Sequence, residues 1–243
     1  MSRLGPLCAA LVALLLVACA DVGPVFPTPN YFDPWVSAED TLDPRSDRAP
    51  LITYRTATFR LFPGESRSAL RTDKDFGLGQ TYLIGFDLRV DRRQLTNRPV
   101  TLSRVLRTTG TEAADGSPAT QIISVELDAR RGATVLGRSC IPPAQLGRWH
   151  SIEIRIAMAD NDTGYIEVFC DRRPIWAQEN FRTTLPPICR LREGCTRGVP
   201  RPVKFEWQLG LMADGRLARG LEVQMRRIFY HRLFVIPNRV HTL

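Results

Sequence analysis

The sequence predicts an all-β protein, a two-sheet antiparallel sandwich of jelly-roll type. Apolar residues alternate with polar ones at period two in short segments along most of the chain. Clusters of Asp, Asn, Gly and Pro separate those segments, and no segment carries a long helical period. Roughly ten or more strands joined by turns bury their apolar faces by stacking one sheet on another. With 243 residues and 44% apolar composition, the chain can fill one full-sized core.

"ATFRLF" (57–62) is a short strand. In "QTYLIGFDLRV" (80–90), Tyr82, Ile84, Phe86, Leu88 and Val90 share one face. "VTLSRVLRT" (100–108) and "TQIISVELD" (120–128) follow, separated by the polar loop "TGTEAADGSPA". "HSIEIRIAM" (150–158) turns Ile152, Ile154, Ile156 and Met158 inward and Ser151, Glu153 and Arg155 outward. The turn "ADNDTG" returns the chain into "YIEVFC" (165–170), which makes a hairpin. "FEWQLGLM" (205–212) and "MRRIFYHRLFVI" (225–236) complete the set.

Residues 1–18 read as a secretory signal: one arginine, a short apolar run, then a small residue before Cys19. Leu16-Val17-Ala18-Cys19 resembles the lipobox of bacterial lipoproteins, in which the cysteine is acylated. Cys19 is therefore the expected lipidation site, and several acyl chains anchor a protein stably to a membrane. By the same resemblance, Ala20 favours an outer-membrane destination. Residues 19–50 contain six prolines and little periodicity, as expected of a tether or an irregular wrap, and the sandwich is assigned to 51–243.

Four cysteines remain in the exported chain, Cys140, Cys170, Cys189 and Cys195, an even number that points to disulfides with three pairings open. Cys189 and Cys195 bracket a short loop they can close, which would leave Cys140 with Cys170. Irregular spacing, with only His150 nearby, speaks against a metal site, and no cofactor motif is present. The formal charge is +8, carried almost wholly by arginine, since lysine occurs only at Lys74 and Lys204. Arginine favours bidentate pairing with carboxylate, sulfate or phosphate. For an exported chain, acidic polysaccharide is the expected partner and nucleic acid is not.

The segment "LGRWHSIEIRIAMADNDTGYIEVFCDRRPIW" (146–176) resembles a hairpin unit of heparin-lyase-like and alginate-lyase-like polysaccharide lyases. "FRLFPGES", "RSAL", "GLGQTYLIGFDLRV", "FEWQLGLM" and "IFYHRLFVI" resemble further pieces of that family, in its order, over about residues 55 to 236. The resemblance implies a concanavalin-like jelly roll. It also implies β-elimination on uronic-acid chains, which needs a group to neutralise the sugar carboxylate, a base for the C5 proton and an acid for the leaving oxygen. In the family these come from an R-[ST]-E-L strand, a Q-x-H strand and a Y-F-K strand. Here Arg67 is kept, but the glutamate position is Ala69. The second strand reads "TLSRVLR", with Arg104 its nearest polar residue, and the third reads Glu206, Trp207, Gln208, Gly210 and Met212.

Three functions follow from these residues. The first is an envelope lipoprotein that binds acidic, uronate-containing polysaccharide with weak or no catalysis. In it, Arg67, Arg71 and Arg104 contact carboxylates, Trp207 and Tyr230 stack on sugar rings and Gln208 bonds hydroxyls. The second is an active lyase with a rearranged site, for which Tyr230 and His231 are the available catalytic residues; whether the chain is an enzyme stays open. The third is an envelope lipoprotein whose sandwich binds a protein partner.

Overall fold

The computed structural model describes residues 42–53, 56–71, 76–108, 120–180, 182–183 and 204–233. The signal segment, Cys19, most of the proline-rich stretch, Cys189 and Cys195 lie outside them. Among the described residues the chain forms two antiparallel sheets and almost no helix. The strands are β1 (Leu51–Thr53), β2 (Thr56–Leu61), β3 (Arg67–Arg71), β4 (Thr81–Val90), β5 (Val100–Thr108), β6 (Thr120–Asp128), β7 (Gly132–Val135), β8 (Arg138–Ile141), β9 (His150–Ala157), β10 (Tyr165–Cys170), β11 (Arg173–Gln178), β12 (Lys204–Ala213) and β13 (Leu221–Leu233). One sheet runs β1-β2-β13-β4-β9-β10-β11; the other runs β3-β12-β5-β6-β7-β8.

The predicted alternation builds this sandwich. Tyr82, Ile84, Phe86, Leu88 and Val90 all enter the core, opposite Leu102, Val105, Ile123 and Val125 of the second sheet. Ile152, Ile154 and Ile156 join them, and β9 and β10 form the expected hairpin. Strand β4, central in its sheet, is buried on its other face as well, at Leu83 and Asp87. Gly85 sits on that outer face because Phe229 lies over it: an added Cβ would stand 2.6 Å from the Phe229 ring and 2.8 Å from the Ile152 carbonyl. Cys140 on β8 and Cys170 on β10 form a disulfide, with Cα atoms 5.6 Å apart, that ties one sheet to the other.

Five short strands, β1, β3, β7, β8 and β11, are additions to the period-two segments read from the sequence. Four of them have five residues or fewer, too few for a period to stand out, and β11 (RPIWAQ) does not alternate. Residues 42–47, within the stretch read as tether or wrap, lie along the free edge of β3. Leu42 bridges Leu70, Asp43 donates its N–H to the Ala69 carbonyl, and Asp47 donates to that of Arg67. Ser46 Oγ bonds the Ala69 backbone, and the Asp47 carboxylate accepts from the N–H groups of Ser66 and Arg67. The edge of β3 is covered in this way and not left open.

Candidate functional site

The three strands that carry "RSALR", "TLSRVLR" and "FEWQLGLM" are neighbours, in the order β3-β12-β5. Register then decides which side chains meet. Gln208 is opposite Arg71 on one side and Arg104 on the other, so the three form one cross-strand row. Met212 is opposite Arg67, and Gly210 is opposite Ala69. Facing residues of antiparallel strands project to the same side. Phe205, Trp207, Leu209 and Leu211 fill the core, so Glu206, Gln208 and the arginine row occupy the outer face, turned away from the other sheet.

Hydrogen bonds link that face. The Arg67 terminal amino group donates to Gln208 Oε1 at 2.7 Å, and Arg104 Nε donates to the same oxygen at 2.8 Å. Gln208 Nε2 donates to Glu206 Oε1. Arg67 Nε also forms an ion pair with Asp43 Oδ2 at 2.7 Å, and Asp43 Oδ1 accepts from the Arg45 backbone N–H at 3.0 Å. The Asp43 side chain is wholly buried and that of Arg67 is 15% exposed. Burial pushes the Asp43 carboxyl up, but hydrogen bonds from the backbone and side chain of Arg45 and the charges of Arg67 and Arg45 outweigh it and hold the group below its ordinary value.

The arginines differ in what they have left to give. Burial draws the Arg67 guanidinium below its ordinary value, and Asp43 opposes that. Burial does the same to Arg104, and there the neighbouring charges of Arg67 and Arg45 add to it. Arg104 is held by Nε alone, and among the described residues no carboxylate reaches ion-pair distance of it. Its two terminal amino groups form the fork that receives a carboxylate end-on. Arg71 is exposed and likewise has no ion-pair partner among the described residues. With strands about 4.8 Å apart, the Arg71 and Arg104 Cα atoms stand about 10 Å apart across Gln208.

Two expected binding residues require correction. Trp207 is 1% exposed, and its indole N–H donates to Ser103 Oγ at 2.8 Å inside the core. It offers no face to a sugar; alternation with Phe205, Leu209 and Leu211 turns it inward. Gln208 is fully buried, with both lone-pair directions of Oε1 taken by arginines. It organises the row and does not meet a ligand hydroxyl.

Tyr230 and His231 also stand elsewhere. Strand β13 pairs with β2 and β4, so both belong to the seven-stranded sheet. The Tyr230 ring packs toward the core against Tyr82 and Phe76, with ring centres 5.2 and 5.1 Å away. His231 projects from the opposite face and stacks on Phe229 at 5.5 Å. Neither shares a surface with the arginine row. His150 lies at the start of β9 and is nearly buried, with Nδ1 2.7 Å from Asp171 and Nε2 2.8 Å from the Gln145 carbonyl. Among the described residues, no group of three His, Cys, Asp or Glu side chains is placed to hold a metal ion.

Asp43 is the residue that the sequence reading missed. Its only local signal is an acidic side chain two residues before Arg45, in a stretch without periodicity.

No protein-family model matches the chain, and no curated protein matches it. Solved structures do. An endo-β-1,4-glucuronan lyase from the fungus Trichoderma reesei superposes with a TM-score of 0.52 at 13% identity, over 72% of this chain and 79% of that one. An alginate lyase from Chlorella virus superposes with a TM-score of 0.51 at 9% identity, over 77% of this chain and 90% of that one. At such identities the likeness concerns the fold: the chain has the jelly-roll sandwich of polysaccharide lyases.

Proposed function

We propose that this protein is an envelope lipoprotein, anchored through Cys19, whose sandwich binds acidic, uronate-containing polysaccharide on the outer face of the six-stranded sheet without cleaving it. One observation carries the reading. Arg71 and Arg104 stand in register on that face with no carboxylate partner among the described residues, and β3, β5 and β12 contain no histidine or tyrosine. The face can neutralise carboxylates, but its strands β3, β5 and β12 offer no histidine or tyrosine to serve in the acid–base pair that elimination requires. The glucuronan and alginate lyases named above, which share the fold, lend the choice of ligand their support.

Two arginines with Cα atoms about 10 Å apart on a sheet suit a polymer with repeated carboxylates better than a single sugar acid. Titration calorimetry with oligoglucuronate and oligoalginate tests this, with a neutral glucan as control. Binding to the uronates that weakens with added salt is the expected result, and equal binding to the neutral glucan overturns it. The same polymers, followed by absorbance of the unsaturated product, test the enzymatic alternative. A rise that Tyr230→Phe or His231→Ala abolishes would replace the binding reading with a lyase.

A further inference from the structure

Two cations share one neutral oxygen in this site. Arg67 and Arg104 both donate to Gln208 Oε1, at 2.7 and 2.8 Å, and both are partly buried. Each charge disfavours the other, and burial in reduced dielectric strengthens that repulsion. Such a pair persists only if one charge is compensated nearby. Asp43 compensates it first, with Oδ2 2.7 Å from Arg67 Nε, and its charge also favours the protonated form of Arg104, which it does not touch; the charge of Glu206 acts in the same sense on both arginines.

Asp43 is held independently of Arg67 and Arg104. Its own N–H bonds the Ala69 carbonyl, the Leu42–Leu70 bridge precedes it, and Ser46 and Asp47 fix the following turn to β3. The Arg45 backbone N–H and Nε–H donate to Oδ1 at 3.0 and 3.2 Å, so the carboxylate is a fixed post and not a mobile counter-ion.

We propose that Asp43 is a positioning residue of the binding face: it spends the charge of Arg67 and, through Gln208, aims Arg104 at the ligand. Arg67 is then an internal strut, and the guanidiniums that read the polymer are those of Arg104 and Arg71. This assignment rests on the binding reading above for its consequence, but its geometry is testable without any ligand.

The test is Nε–H exchange, measured by nitrogen-15 NMR on the arginine-labelled full chain. In the unaltered protein, the Arg67 and Arg104 Nε–H protons exchange more slowly than that of exposed Arg71. In Asp43→Asn both become fast, although Asp43 is ion-paired with only one of them, and Asp43→Glu restores part of the protection. If Arg104 keeps its protection in Asp43→Asn, Asp43 serves Arg67 alone and the proposal fails. Should Asp43→Asn not fold, Arg67→Lys keeps the charge but cannot hold Asp43 and Gln208 at once; protection of Arg104 must fall there too, and its survival overturns the proposal. A second arm uses oligoglucuronate at low salt. Asp43→Asn makes the face more positive, so simple charge attraction predicts tighter binding. Positioning predicts weakening by about tenfold, the loss of one well-aimed charge-assisted contact. Tighter binding overturns the proposal. If the unaltered protein binds no uronate, the function proposed above fails, while the exchange measurement still decides the role of Asp43.

Discussion

The two outer faces of this sandwich are both rich in arginine, and they use it differently. On the seven-stranded sheet, register sets arginine against carboxylate. Arg60 is opposite Glu222 and 2.6 Å from it, Arg155 is opposite Glu167 at 2.6 Å, and Arg226 is opposite Asp87 at 3.1 Å. Each is a cross-strand pair of the kind that stabilises a sheet by a few tenths of a kcal/mol to about 1. On the six-stranded sheet, register sets Arg71 and Arg104 against a glutamine. The buried carboxylate that reaches this row, Asp43, comes from outside the sheet and goes to Arg67. The arginine count thus says little about binding. What distinguishes the faces is which residue the neighbouring strand presents.

The sharpest way to break this comparison is to remove a carboxylate from each face. Asp43→Ala leaves Arg67 partly buried beside Arg104 without its ion-pair partner, with the charge of Glu206 as its remaining compensation, and losing one member of a buried pair costs about 3–5 kcal/mol. Glu222→Ala removes one member of a solvent-exposed pair and is expected to cost less than about 1 kcal/mol. Urea denaturation of both variants measures the contrast, and equal losses would erase the distinction between the faces.

Binding gives the next largest effect. Arg104→Leu is expected to weaken oligoglucuronate by about tenfold, or about 1.4 kcal/mol, with little loss of stability, because among the described residues Arg104 forms no ion pair and Gln208 Oε1 keeps its bond from Arg67. Arg155→Leu, on the other face, should leave affinity unchanged. A calorimetric loss in Arg155→Leu matching that in Arg104→Leu would mean that net charge alone, and not this row, attracts the polymer.

The parts of this picture that were legible in the sequence are those set by local pattern. Period two in 80–90 and 150–158 marks the strands and their inward faces, and the same rule turns Trp207 into the core with Phe205 and Leu209. Motif order placed Arg67, Arg71, Arg104 and Gln208 on strands that prove to be neighbours. Which sheet a strand joins is not a local property. Strand β13 reads as a good strand by itself, but only its pairing with β2 and β4 removes Tyr230 and His231 from the arginine row. Asp43 was illegible for a related reason: it meets Arg67 through an edge contact spanning 24 residues, from a stretch whose prolines and charges carry no period.

A subtler difference between pattern and fold appears at Glu153. Alternation sends it outward, and it does leave the core, but it is 5% exposed on the covered outer face of the seven-stranded sheet. Burial raises its pKa above the ordinary 4.5; the charges of Arg227 and Arg172 oppose this, and that of Asp87 adds to it. The folded state therefore holds the proton more tightly than the unfolded one. The cost of ionising Glu153 is absent below about pH 4.5, grows as pH rises through the window up to the raised pKa, and persists above it. Glu153→Gln should raise the melting temperature at neutral pH and match the unaltered protein in acid. If it melts lower at neutral pH, the carboxylate is a needed partner of Arg227 or Arg172, and this face is more tightly paired than the register indicates.

The smallest effect tests the pairing rule itself. Arg60 and Glu222 are directly opposite, 2.6 Å apart, and roughly half and one-third exposed, so solvent screens them. A double-mutant cycle with Arg60→Ala and Glu222→Ala should return a coupling of about 0.2–1 kcal/mol that shrinks in high salt. Such a value means that this pair holds its strands in register and has little charge left for a ligand. A coupling near zero would mean that Arg60 is as free as Arg71. The seven-stranded face would then be a second surface able to attract a polyanion, and the claim that register separates structural from binding arginines would fail where it is most easily measured.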